Sequence, residues 1–223
     1  ADYRRAREER RKPMPPHPKT PFRGWGYPAS CFYNAMIAPL IPFGIRGAAW
    51  YQGEARTGRR HQYERELTAL ICDWRNRWEL GDFPFLVVQL PDIKPVWNWQ
   101  LTRDAQLRTA KALPEVGLVV TIDVGDPDDL HPRNKEPVGH RLALAAQGLA
   151  YDRDLVYSGP LYESAVRDGS RLRVRFRHVG SGLAVRDGGP LGGFTLAGED
   201  RTFVPAEAAI DGDCVLLHSA DVE

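Results

Sequence analysis

The stretch FLVVQLPDIKPVWNWQLTRDAQLRTAKALPEVGLVVTID, residues 85–123, decides the fold. It opens on an apolar run, Phe85–Leu90 (FLVVQL), of the length and composition of a strand buried on both faces. A proline-broken segment, Pro91–Asn98, follows, and then WQLTRDAQLRTAKAL over 99–113, which reads as a helix ended by Pro114. Gly117–Asp123 (GLVVTID) is a second apolar run. Strand, helix and strand in this order make a parallel pair, because the helix carries the chain back to the starting edge.

The same alternation extends in both directions. Upstream, Ile45–Tyr51 (IRGAAWY) is a short apolar strand, and Arg60–Leu80 is a helix. Tyr63, Leu67, Leu70, Ile71, Trp74 and Trp78 recur three or four apart along it, and Gly81 is its natural stop. Downstream, Asn134–Tyr151 is a helix with Val138, Leu142, Leu144, Ala145 and Leu149 on its apolar side. Before all of these, Tyr33–Leu40 reads as a short helix stopped by Pro42. Residues 45–151 thus run β-α-β-α-β-α, which predicts a parallel sheet with helices on both faces. Ligands of such sheets bind beyond the carboxyl ends of the strands, so three loops become candidates: Gln52–Gly58, Pro91–Asn98 and Val124–Pro132.

After Tyr151 the texture changes. Short strand candidates appear at 155–163, 171–178, 183–186, 194–197, 203–205 and 214–218, punctuated by Asp168-Gly169, Asp187-Gly188-Gly189 and Asp211-Gly212 turns. Arg171–Arg177 alternates arginine with Leu172, Val174 and Phe176, the pattern of a half-exposed strand whose arginines face water. The expected organisation is a basic, Pro-rich linker over 1–29, an α/β part over 30–151 and an antiparallel β module over 152–223.

Composition limits what such a chain does. It has 223 residues, 43 % hydrophobic and 26 % charged, which excludes wholesale disorder. No apolar run approaches the ~20 residues of a membrane-spanning helix, so no membrane is expected as partner. Thirty basic and 29 acidic residues leave a formal net charge of +1 and argue against nucleic acid. Seven of the basic residues and three of the acidic ones lie in residues 1–20, leaving 23 and 26 for the remainder. Cys31, Cys72 and Cys214 are scattered and odd in number, neither a disulfide framework nor a zinc set. The chain starts at Ala1 without a signal peptide, as expected of a fragment or a processed product.

Two constellations carry chemistry. The loop Asp123-Val-Gly-Asp-Pro-Asp-Asp-Leu-His-Pro follows the third strand and places four carboxylates and His131 within nine residues. A carboxylate beside a histidine holds one ring nitrogen as donor and frees the other to take a proton from a nucleophile. Asp126, Asp128 and Asp129 are also hard oxygen ligands. The spacing is not that of an EF-hand, however, because the central glycine and terminal glutamate are absent. A plain solvated turn with Asn134 capping the next helix is the third reading. The second constellation is Trp50-Tyr-Gln-Gly-Glu at the end of the first strand, where the Gln52 amide and the backbone at Gly53 are suited to hold an oxyanion.

Three blocks agree in order and spacing with one family: Tyr33-Asn-Ala-Met-Ile-Ala-Pro-Leu-Ile-Pro-Phe, Trp50-Tyr-Gln-Gly-Glu, and Thr121-Ile-Asp-Val-Gly-Asp-Pro-Asp-Asp-Leu-His-Pro-Arg-Asn-Lys. Supporting segments include Asp82–Leu90, Arg103-Asp-Ala-Gln-Leu, Val156–Tyr162 and His178–Leu183. The chain resembles bacterial sialate O-acetylesterases of the SGNH/GDSL hydrolase superfamily over roughly 30–218. The resemblance implies a flavodoxin-like three-layer α/β core, partial here, with β-sandwich elaboration. It implies hydrolysis of O-acetyl esters on sugars, with an O-acetylated sugar as partner, no cofactor, and a secreted or periplasmic setting. By motif matching His131 is the general base, and Gln52 with Gly53 the oxyanion site. The acid partner is Asp128, at the spacing usual in the superfamily, or Asp129, at the spacing of the bacterial esterases; Asp128 is favoured here. Arg103, Gln106 and Trp97 are candidate sugar contacts, with surface pairing as the competing role for Arg103 and Gln106.

One departure stands out. The family's nucleophile is a serine in an early Gly-Gln-Ser-Asn-type block, and the six serines here, Ser30, Ser158, Ser164, Ser170, Ser181 and Ser219, include none in that setting. The chain by itself is therefore expected to be inactive, because His131 has no serine to activate. The alternatives are a non-catalytic carbohydrate-binding homologue and a metal-dependent hydrolase built on the aspartate loop.

Overall fold

The computed structural model describes residues 30–41, 43–54, 60–94 and 99–222. The chain divides into two units, Ala1–Gly44 and Ile45–Glu223. In the first, a π-helical turn at Tyr33–Ile37 runs into a 3-10 turn at Ala38–Leu40. The sequence predicted a single short helix there. Pro39 has no N–H to donate, and Ile41 N–H closes on Ala38 O at 3.3 Å instead. Pro42 lies outside the described residues, as does the predicted linker.

The second unit begins with a parallel sheet of β1 (Ala48–Trp50), β2 (Phe85–Val88) and β3 (Val116–Val119), with β2 in the centre. Ala48 sits opposite Phe85, and Phe85 opposite Val116. Three helices accompany the strands: α1 (Arg60–Trp78), α2 (Trp99–Ala112) and α3 (Glu136–Leu149). Alternation along β2 divides the layers. Leu86 and Val88 pack with Val119, Val138 and Ala145, which places α3 on that face. On the other face the Phe85 ring lies 5.7 Å from Trp74 of α1, itself 6.3 Å from Trp50. Tyr63, Leu67, Ile71 and Trp78 are buried on the same helix. Trp78 is a core residue and Trp74, half-buried, packs against Phe85, on the apolar face their spacing predicted.

Helix α2 differs from α1. Its buried stripe is Trp99, Thr102, Ala105, Gln106 and Thr109, three of them polar. Thr109 satisfies its hydroxyl locally, donating to Ala105 O at 3.0 Å. Helix α3 starts two residues later than predicted. Lys135 is its N-cap and makes no side-chain cap, so Asn134 does not cap it.

The β module is a four-stranded antiparallel sheet in the order β4 (Leu161–Asp168), β5 (Arg171–Arg177), β9 (Cys214–His218), β8 (Glu207–Asp211). A two-stranded ribbon, β6 (Thr195–Leu196) and β7 (Val204–Pro205), accompanies it. Leu172, Val174 and Phe176 face a core with Val215 and Leu217, while Arg173 on the other face pairs with Asp168 and Asp211. The strand predicted at 155–163 begins only at Leu161, after Pro160. Residues 183–186 form no strand, and β8, with its largely exposed side chains, was not foreseen.

Two charged side chains hold this unit together. Arg75, 6 % exposed, reaches from the last turns of α1 to the entrances of β2 and β3. It donates to Phe83 O at 3.0 and 3.2 Å, Pro114 O at 2.8 Å and Glu115 O at 3.3 Å. At the opposite end, Arg141 of α3 grips Asp123 with two bonds of 2.6 and 2.7 Å and donates to Val120 O at 2.7 Å. Arg186, from the β module, joins Asp123 at 3.1 Å. The Arg141 hydrogen bond, aided by Arg186, holds the Asp123 carboxyl well below the usual carboxylate range.

Arg75→Met leaves three inward-facing carbonyls without their donor, and we expect a loss of about 3 kcal/mol in urea unfolding, only partly recovered by Arg75→Lys. Asp123 has a depressed folded pKa, so its contribution is complete above the ordinary carboxylate pKa of about 3.9 and fades as pH falls through the folded value. Asp123→Asn is therefore expected to lower the urea midpoint at pH 7. The gap to wild type is expected to narrow below about pH 4.

Candidate functional site

The three loops singled out from the sequence follow the carboxyl ends of β1, β2 and β3. The first is described as far as Glu54, the second as far as Lys94, and the third completely. Trp97 lies outside the described residues.

Gly53 follows β1 in a buried position with φ of +153°, where an L side chain is strained. A Cβ there would also stand 3.1 Å from Thr102 Cγ2 and 3.3 Å from both Leu90 Cδ1 and the Tyr63 hydroxyl. The preceding residue, Gln52, has its backbone carbonyl held by two donors, the Tyr63 hydroxyl at 2.6 Å and Gln106 Nε2 at 3.3 Å. The same hydroxyl is 3.3 Å from Gln52 Oε1 and receives Trp50 Nε1–H at 3.4 Å. The Gly53 N–H donates to a carboxylate oxygen of Glu54 at 2.8 Å. A groove lined by Trp50, Gln52, Tyr63, Glu66, Leu67 and Leu70 runs beside this turn.

Gln106 is fully buried. Its Oε1 accepts from Leu90 N–H at 3.0 Å, and its Nε2 donates to Val88 O at 3.2 Å as well as to Gln52 O. Arg103 donates to Pro91 O at 2.9 Å, and its own carbonyl accepts from Gln89 Nε2 at 3.1 Å. Burial pulls the Arg103 guanidinium below its ordinary value, an effect that Asp92 opposes. Both side chains, candidate sugar contacts by sequence, are engaged with backbone at the end of β2.

The third loop is braced from within and from its neighbour. Asp126 closes a turn, its carbonyl accepting Asp129 N–H at 3.2 Å and its Oδ1 accepting Asp128 N–H at 2.9 Å. Asp129 Oδ1 accepts the backbone N–H of His131 at 2.8 Å. Asp128 forms an ion pair with Lys94, whose backbone N–H reaches Pro127 O at 3.3 Å. A Cβ on Gly125 would stand 2.8 Å from the Asp92 amide nitrogen and closer still to its carbonyl oxygen, so the two loops touch backbone to backbone. His131 is exposed. Among the described residues no group of three or more His, Cys, Asp or Glu is placed to hold a metal ion.

A contact across the sheet joins the two constellations. Lys135, four residues after His131, donates to the Tyr51 hydroxyl at 3.1 Å and lies 4.9 Å from the Tyr51 ring centroid. Tyr51 is the neighbour of Gln52. The contact ties the residue before Gln52 to the segment that follows His131. Sequence reasoning gave no role to Lys94, Lys135, Tyr51 or Tyr63 in this region. Tyr51 and Lys135 stood inside the matched blocks, but Tyr63 was read only as part of an apolar helix face.

Residues 20–147 match the family model for a carbohydrate esterase, sialic acid-specific acetylesterase. The chain is 35 % identical to the sialate O-acetylesterase of Homo sapiens over 156 residues, covering 60 % of this chain and 30 % of that protein. It is 34 % identical to the sialate O-acetylesterase of Mus musculus, covering 59 % of this chain and 28 % of that one. A crystal structure of a carbohydrate acetylesterase from Xanthomonas citri superposes with a TM-score of 0.81 at 44 % identity, covering 85 % of this chain and 45 % of that one. The chain thus spans less than half the length of these relatives. With its parallel α/β sheet, separate antiparallel sheet and matched blocks, it belongs to the sialic acid-specific acetylesterase family of carbohydrate esterases.

Proposed function

We propose that these residues supply the base and the oxyanion donors for hydrolysis of acetyl esters on sugars, the nucleophilic serine lying outside the 223 residues. The observation that carries this reading is the Gly53 amide, which already holds an anionic oxygen, that of Glu54, at 2.8 Å. An N–H in that state is suited to the negative oxygen that develops when an acetyl carbonyl is attacked.

In the reaction, the serine hydroxyl adds to the acetyl carbonyl while His131 takes its proton. The carbonyl oxygen becomes an oxyanion against Gly53 N–H and the Gln52 amide. Collapse breaks the bond to the sugar oxygen, which leaves with the proton from His131. Water then adds to the acetyl-serine by the same route, releasing acetate and restoring the serine. Sequence spacing favoured Asp128 as the acid that orients the imidazole. The pairing of Asp128 with Lys94 now favours Asp129, whose Oδ1 accepts the His131 backbone N–H.

The test is acetate release from an O-acetylated sialic acid. The 223-residue chain is expected to release none. Release by this chain at an enzymatic rate would overturn the placement of the nucleophile. In a form that carries the serine, Gln52→Ala is expected to lower kcat by about 10²- to 10³-fold and His131→Ala by about 10³-fold or more. Undiminished turnover in both variants would overturn the assignment. Asp129→Asn should cost more than Asp128→Asn, and a chelator should leave the rate unchanged.

A further inference from the structure

We propose that Tyr63 and Gln106 are positioning residues that aim the Gly53 N–H into the site by gripping the opposite side of the same peptide unit. The inference rests on the reading of Gln52 and Gly53 as oxyanion donors. The Gln52 carbonyl and the Gly53 N–H belong to one planar group, and in a trans peptide they point in opposite directions. Whatever fixes the carbonyl therefore fixes the N–H.

Two buried side chains from two helices converge on that carbonyl. Tyr63 of α1, 3 % exposed, donates its hydroxyl at 2.6 Å. Gln106 of α2, fully buried, donates Nε2 at 3.3 Å. Neither donor is free to swing. The Tyr63 hydroxyl is itself held by Trp50 Nε1–H at 3.4 Å, and the Gln106 carboxamide is locked to Leu90 N–H and Val88 O. The glycine completes the arrangement, because a Cβ there would stand 3.3 Å from the Tyr63 hydroxyl and 3.1 Å from Thr102 Cγ2. Donors on a carbonyl also polarise the peptide, so its N–H becomes the stronger donor. On the far side that N–H meets the Glu54 carboxylate, which marks the direction in which it is aimed.

A structural role alone would make these residues general contributors to stability. Aiming predicts a local signature instead. In the nitrogen-15-labelled chain, Tyr63→Phe is expected to move the Gly53 amide proton upfield and to speed its solvent exchange about tenfold, the equivalent of one hydrogen bond. The amides of Val87 and Val119, inside the sheet, are expected to keep their rates. Gln106→Met is expected to give the same local change with a larger loss of stability; should that variant fail to fold, Tyr63→Phe still decides. A Gly53 amide that keeps its resonance and rate in Tyr63→Phe overturns the proposal, as does a loss of protection spread evenly over the sheet. The functional reading fails separately, by undiminished turnover of Gln52→Ala and His131→Ala, which leaves the amide result untouched.

Discussion

Two neighbouring parallel strands must part before a ligand can sit at their ends, and parting leaves backbone groups without partners. Here the pairing of β1 with β2 runs as far as Trp50 opposite Val87. Beyond it, the Gln106 carboxamide takes Leu90 N–H and Val88 O on one side and Gln52 O on the other. A side-chain amide has the donors and acceptor of a peptide group, so it continues the bonding where the ladder stops. Without it Leu90 N–H and Val88 O would lose that partner at about 1–3 kcal/mol each, and Gln52 O would keep only the Tyr63 hydroxyl. The placement of Gln52 and the turn at Gly53 rest on that replacement of strand by side chain together with the Tyr63 hydroxyl.

The other end of the sheet uses the same device with a different residue. There Arg75 gathers the carbonyls of Phe83, Pro114 and Glu115, just before β2 and β3 begin. A guanidinium has five donors in a rigid fork, which suits several acceptors converging from two segments. A sheet of three short strands has few ladder bonds of its own. Buried polar side chains from α1 and α2 fix its register at both ends, and the apolar contacts of Phe85, Val87 and Leu86 fill the space between.

This division explains what was legible in the sequence. The apolar runs and the spacing of Tyr63, Leu67, Ile71 and Trp78 depend on local periodicity, and they located three parallel strands, three helices and the loops that follow the strands' carboxyl ends. Strand β8 escaped because Glu207–Asp211 has little apolar patterning and exists by pairing with β9. Arg103 and Gln106 were placed on the right helix near the right loop, yet a buried polar residue on a helix looks in sequence like an exposed one. Their bonds run to carbonyls and amides of other segments, and Gln106 reaches Gln52 across 54 residues. No local pattern encodes such a partner. The tie of Lys135 to Tyr51 escaped for the same reason, at a separation of 84.

The two halves of the site are held by forces of different kinds. The Gln52–Gly53 turn is fixed by hydrogen bonds from Tyr63 and Gln106, both buried, which salt does not screen appreciably. The His131 loop is fixed in part by the pair of Lys94 and Asp128, whose side chains are 59 % and 71 % exposed. A pair of that kind contributes at most about 1 kcal/mol and weakens with ionic strength. On the proposed reading, acyl transfer makes matching demands. Oxyanion donors help most when they need no reorganisation as charge appears, so they belong on the buried, doubly braced peptide. A base must take a proton from one oxygen and return it to another, so it tolerates the softer mounting. The loop remains packed through the Gly125–Asp92 backbone contact, and His131 stands exposed to solvent.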